Sequence, residues 1–264
     1  MKKCNSLLLA VCVLSALALL LSPAKAEASA FSYALAVLEP QSIQVEVTDG
    51  LDVEFTSAEA DSDAYVANQD EWLDDYDWTD QVPFTTYAEA EIDNAYAAAG
   101  TNYEQNYIAE VTEAFADGSN LYGYASAYAY VPGYFTVLDG AGDVTVSIDY
   151  YLEAEVEGED VGDYAYAYSE AYIWANIYTG DTIGGYYDFD NIWLEVVDDA
   201  FDSDEREGTL TMSFYLEEGY SGSIGGWVWN ESQAESAPVP EPATMLLLGS
   251  GLVGLVGFRR KFKK

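Results

Sequence analysis

The chain has 264 residues, with 47 acidic and nine basic side chains, no histidine and two cysteines. Without histidine, Ser-His-Asp triads and most zinc and iron sites are excluded, and no P-loop or dinucleotide-binding glycine fingerprint is present. Such an acidic balance repels phosphate backbones and anionic lipid surfaces, which excludes nucleic acid as a partner and favours cations.

The first 26 residues have the pattern of a secretory signal peptide. Lys2 and Lys3 precede an apolar run over 7–21, and the small-residue triplet 24–26 follows it. A basic start, a short apolar run and a small-residue exit are the parts that signal peptidase recognises. We expect cleavage after residue 26, with the triplet 28–30 as a second candidate.

Removal of this segment changes the chemistry of the remaining chain. Cys4 and Cys12 both lie within it, so the mature chain has no cysteine for a disulfide or a thiolate metal site. The region 27–237 keeps 46 acidic residues against one base, Arg206, for a net charge near −45. We expect this region to be one acidic, tyrosine-rich β domain that is stabilised by packing alone.

Period-two alternation indicates that the body is built of strands. Tyrosines alternate with Gly or Ala over 122–130, and bulky residues alternate with small ones over 164–174. Further strands are predicted at 43–47, 51–55, 144–157, 192–197, 209–216 and 223–229. A strand is also predicted over 87–115, where frequent Ala and Glu make a helix the competing interpretation. Turns are predicted at Asp139-Gly140 and Gly184-Gly185. The spacing favours an all-β, jelly-roll-like β-sandwich, with a β-solenoid as the alternative.

The last 27 residues, 238–264, have three parts in a fixed order. Pro240, Glu241 and Pro242 are followed by an apolar run over 245–258 and by a cluster of five bases from Arg259 to Lys264. Prolines keep a segment extended, the apolar run enters a bilayer as a short transmembrane helix, and the cationic end stays cytoplasmic. Fourteen apolar residues are short for a permanent span, which favours a transient anchor.

This tail closely resembles the PEP-CTERM sorting signal, and the resemblance is limited to about the last 25 residues. It implies that signal peptidase and an exosortase are partners during export across the inner membrane of a Gram-negative bacterium. It also implies that Pro240, Glu241 and Pro242 form the sorting motif. The mature product is then expected at the cell surface or in the extracellular matrix, with exopolysaccharide and biofilm as its setting.

The acidic residues make calcium a candidate ligand of this chain. Calcium takes carboxylate oxygens, but none of the acidic clusters matches an EF-hand loop, so no metal ligand, cofactor or catalytic residue is assigned. These clusters, expected in loops, are Asp61 and Asp63; Asp74, Asp75 and Asp77; and Asp198, Asp199, Asp202, Asp204 and Glu205.

The tyrosine stripes and the pair Trp227 and Trp229 have two interpretations. Aromatic side chains pair well across strands, which makes cross-strand packing the simpler one. Aromatic faces also stack on sugar rings, which makes a lectin-like module the alternative.

We expect a non-enzymatic surface or matrix protein, with the lectin-like module as the second hypothesis. A carboxylate-based glycoside hydrolase is the third hypothesis.

Overall fold

The structure is a computed structural model that describes residues 29–48, 50–81, 85–102, 107–117, 121–180 and 182–236. The predicted signal peptide and the predicted tail, including Pro240, Glu241 and Pro242, lie outside the described residues. The described ranges contain strands and turns, and no helix there is able to cross a membrane. The strands are β1 (Ser29–Val47), β2 (Asp52–Ala58), β3 (Ala60–Asn68), β4 (Trp72–Thr79), β5 (Thr85–Ile92), β6 (Ala95–Asn102), β7 (Tyr107–Asp117), β8 (Tyr122–Asp139), β9 (Ala141–Gly158), β10 (Tyr164–Thr179), β11 (Thr182–Val197), β12 (Ala200–Glu217) and β13 (Ser221–Glu235).

These strands form two sheets. The six-stranded sheet has the order β12-β9-β1-β7-β6-β5, and the seven-stranded sheet has the order β11-β10-β13-β8-β3-β4, with β2 also paired to β8. The all-β prediction is confirmed, and two facing sheets agree with a β-sandwich. Each pairing between described strands is antiparallel, whereas a β-solenoid stacks parallel strands, so the solenoid alternative does not fit. The jelly-roll-like strand order stays a prediction.

Most of the predicted strands are confirmed, and the segment 87–115 contains parts of β5, β6 and β7. The turn at Asp139-Gly140 is also confirmed, with Gly140 at φ +85°. The prediction of a turn at Gly184-Gly185 is wrong, because both glycines are paired residues inside β11. The hairpin closes after Thr179, since Gly180, at φ +72°, adopts the left-handed conformation that a two-residue turn needs.

The expected loop positions of the acidic clusters are largely wrong as well. Asp61 and Asp63 lie in β3, the cluster 74–77 lies in β4, and residues 202–205 lie in β12, whereas 198–199 do connect two strands. Aspartate is disfavoured in strands, but here it alternates with small residues that the core buries. In β3, for example, Ser62 and Ala64 face inward.

Small side chains line much of the space between the sheets. On β1, β6, β8 and β10 the inward positions are mostly alanine, and many of these residues are 0 or 1% exposed. Larger aliphatic and aromatic side chains fill the core nearer β12, where Leu210, Met212, Phe214 and Leu216 point inward. An alanine-lined interface lets two sheets approach closely, because little side-chain volume separates their backbones.

Hydrogen bonds across the interface confirm this close approach. The Ser169 hydroxyl on β10 donates to the backbone carbonyl of Leu35 on β1 at 2.6 Å. The Asn230 side-chain amide on β13 donates to the backbone carbonyls of Ala34 at 3.2 Å and Glu110 at 2.9 Å. Such bonds fix the position of one sheet on the other, because they need a defined separation.

A leucine at an alanine position of this interface is expected to destabilise the domain. Ala167 on β10 is 0% exposed and faces the other sheet. Ala167→Leu adds volume where the sheets cannot separate, so we expect a loss of ~1–3 kcal/mol. In a thermal melt this corresponds to a Tm lowered by about 2–10 °C for a domain of this size. The control is Ala67→Leu, at an outward position of β3; an equal loss in both variants would contradict the explanation.

Carboxylates bond to the open edge of the six-stranded sheet at β5. The side chain of Asp75 on β4 accepts a hydrogen bond from the backbone N–H of Glu89 at 3.0 Å. Asp77 accepts from the backbone N–H of Tyr87, also at 3.0 Å. An edge strand exposes unpaired backbone donors, and these two aspartates from the opposite sheet satisfy two of them.

A similar contact joins the sheets at their other side. Asp188 on β11 accepts from the backbone N–H of Thr211 on β12 at 2.7 Å. Arg206 on β12 reaches back to β11, where it donates to the Asn191 carbonyl at 2.6 Å and pairs with Asp190 at 3.2 Å. We call Asp75, Asp77 and Asp188 the edge carboxylates.

Candidate functional site

The outward surface of the seven-stranded sheet is rich in aromatic residues. Along β8, Ala125, Ala127 and Ala129 are buried against the other sheet, while the tyrosines between and beside them are half-buried on the outside. β10 repeats this pattern. The alternation of the sequence therefore separates a thin inner face from a bulky outer face. We call the following residues the aromatic face: Tyr65, Tyr124, Tyr128, Tyr130, Tyr166, Tyr168, Tyr172, Trp174, Tyr187, Phe189, Trp193, Trp227 and Trp229.

Strand register places part of this face in one continuous row. Phe189 on β11 pairs with Tyr172 on β10, Tyr172 pairs with Trp227 on β13, and Trp227 pairs with Tyr130 on β8. The ring centroids of Tyr172 and Trp227 are 4.9 Å apart with an interplanar angle of 21°. We call these four residues the aromatic row.

The rings around the row leave an open depression. Tyr130 and Trp174 stack with their centroids 6.1 Å apart, and Tyr128 lies 5.8 Å from Trp227. Together with Tyr187 these residues line a shallow depression of about 530 Å³. Tyr187 is 63% exposed, so aromatic surface is in direct contact with solvent.

Carboxylates lie among the rings. Glu170 on β10 pairs across the strands with Trp229, is 8% exposed, and accepts a hydrogen bond from the Tyr168 hydroxyl. Glu231 on β13 pairs with Tyr168. Burial raises the pKa of both carboxyls, and the hydrogen bonds that they accept from tyrosine hydroxyls oppose this rise only in part.

Asp61 is a third carboxylate of this face. It pairs across the strands with Tyr130, and burial, together with the charges of Glu59 and Asp63, raises its pKa to about 6. Its Oδ1 atom is buried and has no hydrogen-bond partner among the residues that the structure describes. A buried acceptor without a donor is unfavourable, because it has lost its hydrogen bonds to water.

The charges on the face have one sign. At the outward positions of the described strands in this sheet, the charged residues are aspartate and glutamate. Arg206, the single base within the described ranges, lies on β12 of the other sheet and bonds to Asp204 on that strand and to Asp190 at an inward position of β11. The aromatic face is therefore an apolar surface that carries negative charge.

The structure brings together residues that the sequence pattern treated separately. The two predicted tyrosine stripes lie on β8 and β10, and the predicted pair Trp227 and Trp229 lies on β13 between them. Sequence reasoning missed the contribution of β11, from Tyr187 through Trp193. The signal was present, because aromatic residues occupy the alternate positions 187, 189 and 193.

The described residues contain no group of three or more Asp, Glu, His or Cys arranged to hold a metal ion. Strand geometry separates neighbouring acids of the predicted clusters, since successive side chains point to opposite faces. In β4, for example, Asp75 and Asp77 bond to the edge of β5, while Asp74 lies at an outward position beside Tyr65.

Comparison with known proteins identifies the tail. Residues 238–261 match the PEP-CTERM protein-sorting motif, which confirms the predicted sorting signal and indicates an exported protein that an exosortase processes. No curated protein matches the chain. Among solved structures, the vicilin from Solanum melongena aligns over 75% of this chain and 73% of its own, with 7% identity and a TM-score of 0.10. That score is far below the level of a shared fold.

Proposed function

We propose that this chain is a non-enzymatic protein of the cell surface or extracellular matrix that binds exopolysaccharide through its aromatic face. The sorting motif supports the route, because it directs a chain to the envelope. The single observation that supports the binding is the aromatic row, in which four neighbouring strands carry an aromatic residue at paired outward positions beside an open depression.

Aromatic rings and carboxylates suit a sugar in complementary ways. The apolar face of a pyranose ring packs on an aromatic ring, as large flat side chains do in other interfaces. Its hydroxyl groups need acceptors when they leave water, and an ionised carboxylate has only acceptor sites. The face offers such acceptors, because three carboxylates lie on strands next to an aromatic residue: Glu170, Glu231 and Asp61.

The shape of the face favours a polymer over a small molecule. The depression is open, and the rings continue beyond it from Trp193 on β11 to Tyr65 on β3. A long chain can contact several rings at once, so weak contacts combine into useful affinity. A lectin-like module with one defined sugar site is the second candidate, and the close stack of Tyr172 on Trp227 favours it.

Replacement of Trp227 by alanine is expected to weaken polysaccharide binding at least tenfold, because a central ring contributes most at such surfaces. The measurement is affinity electrophoresis of the exported full chain through gels that contain the producer's exopolysaccharide. The control is Phe201→Ala, which removes a 58% exposed ring from the other sheet. No retardation of the parent chain, or equal retardation of both variants, would overturn the proposal. Turnover of the polysaccharide would instead support the hydrolase hypothesis.

A further inference from the structure

Several carboxylates of the aromatic face pair with rings across neighbouring strands, among them Glu170, Glu231 and Asp61. Across neighbouring strands, Glu170 lies beside Trp229 and Glu231 lies beside Tyr168. Asp61 lies beside Tyr130 in the same manner. Each pair occupies outward positions of the sheet, so a ligand on the rings lies beside the carboxylates.

Among the residues that the structure describes, no cation neutralises these carboxylates. Arg206 is on β12 of the other sheet, where it pairs with Asp204 and with Asp190 on the facing strand β11. Within the face the carboxylates accept bonds from uncharged groups, as Glu170 does from Tyr168. Negative charges that are buried or half-buried among rings repel one another, and a cation from outside would lower this repulsion.

An ammonium group fits a ring beside a carboxylate better than other ligand groups do. It is attracted to the negative face of the ring, and it donates charge-assisted hydrogen bonds to the carboxylate. An anionic polymer would be repelled by this face, and a neutral polymer would use the rings but leave the charges unpaired. A bare metal ion would use the carboxylates but not the extended aromatic surface.

We propose that the polysaccharide bound by this face carries free amino groups, as a polymer of amino sugars with unacetylated amines does. This inference rests on the proposed function and adds the chemical class of the ligand. The sugar rings pack on the aromatic row, and the ammonium groups bind Glu170, Glu231 and Asp61.

The first test compares oligosaccharides that differ in one group. Glucosamine oligomers and their fully N-acetylated counterparts of equal length are titrated into the exported full chain at low salt by calorimetry. We expect the amine form to bind at least tenfold more tightly, and the difference to shrink as salt is raised. Equal affinity for the two forms would overturn the inference.

The second test uses variants that keep side-chain shape. Glu170→Gln and Glu231→Gln are expected to weaken binding of the amine oligomer about tenfold each and to leave the N-acetylated oligomer unaffected. The control, Glu207→Gln, removes an exposed carboxylate from β12. Amide variants that bind the amine oligomer as the parent does would contradict the inference, provided that their melting curves match that of the parent.

Two further outcomes separate this inference from the proposed function. If Trp227→Ala abolishes binding of both oligomers but the parent shows no preference for the amine, the polysaccharide function stands and the inference fails. If neither oligomer binding nor exopolysaccharide binding depends on Trp227, the proposed function fails as well. Polylysine of equal charge serves as the peptide probe. If polylysine binds as tightly as the amine oligomer, positive charge alone determines affinity and the inference of a sugar ligand is overturned.

Discussion

Replacing Glu110 with glutamine is expected to raise the free energy of unfolding at pH 7.5 by ~2 kcal/mol and to change it little at pH 4.5. Glu110 on β7 is 2% exposed and lies between the sheets. Its carboxyl accepts a hydrogen bond from the backbone N–H of Ala129 on β8, while its other oxygen is unpaired among the described groups. Burial raises the pKa of this carboxyl well above its ordinary value.

The sign of the effect follows from the protonation of the two states. A raised pKa means that the folded chain retains a proton that the unfolded chain releases. The resulting stability is fully present below the unfolded pKa, near 4.3, and is lost as the pH rises through the folded pKa. The raised pKa values of Asp61, at about 6, and of Glu170 and Glu231 act in the same direction. The parent domain is therefore expected to be more stable at pH 4.5 than at pH 7.5.

Urea unfolding at the two pH values measures both effects. Glutamine keeps the shape of the side chain but cannot ionise, so the pH dependence of Glu110→Gln should be flatter than that of the parent. Glu113→Gln on the solvent side of β7 is the matched control, because it removes a charge from the same strand without a change in the core. Stability that increases from pH 4.5 to pH 7.5 in the parent would contradict the explanation.

Asn230→Ala is expected to lower the free energy of unfolding by ~2–4 kcal/mol. Asn230 is 0% exposed, and its amide joins β13 to the carbonyls of Ala34 on β1 and Glu110 on β7. Alanine removes both hydrogen bonds between the sheets and leaves a cavity. The loss should appear in chemical unfolding at any pH between 4.5 and 7.5, because an amide does not titrate.

The control for this variant is Gln233→Ala on the same strand. Gln233 is on the outward surface of β13 and donates to Glu235 near the chain surface. We expect it to change stability by less than about 0.5 kcal/mol, as surface substitutions usually do. A similar loss in the two variants would mean that the bonds between the sheets contribute little.

The sequence pattern was sufficient to predict the strands, but not to predict which face of each strand packs against the other sheet. Period-two alternation predicts that tyrosine and alanine lie on opposite sides of β8 and β10, and the structure confirms it. It does not predict which side meets the other sheet, because bulky residues often fill a core. Here the alanines face inward, since polar side chains such as Ser169 and Asn230 hold the sheets close together.

The aromatic row could not be predicted for a different reason. Each stripe is a local pattern, but the positions of Tyr130 and Tyr172 opposite Trp227 depend on the pairing of β8 and β10 with β13, which comes much later in the chain. Long-range register is set by the whole fold. The strand β4 was missed because aspartates in it bond to the edge of β5, a role that local propensity does not include.

The edge carboxylates also limit how copies of this protein can associate. Fibrils grow when the free backbone donors of one strand edge pair with the next chain. At β5 and β12 the donors of Tyr87, Glu89 and Thr211 are already bonded within the molecule. Bonded edge donors and a negatively charged surface both oppose the pairing of one copy with the next. Under the proposed function, a matrix that contains this protein owes its cohesion to the polymer that the aromatic face binds rather than to contacts between copies.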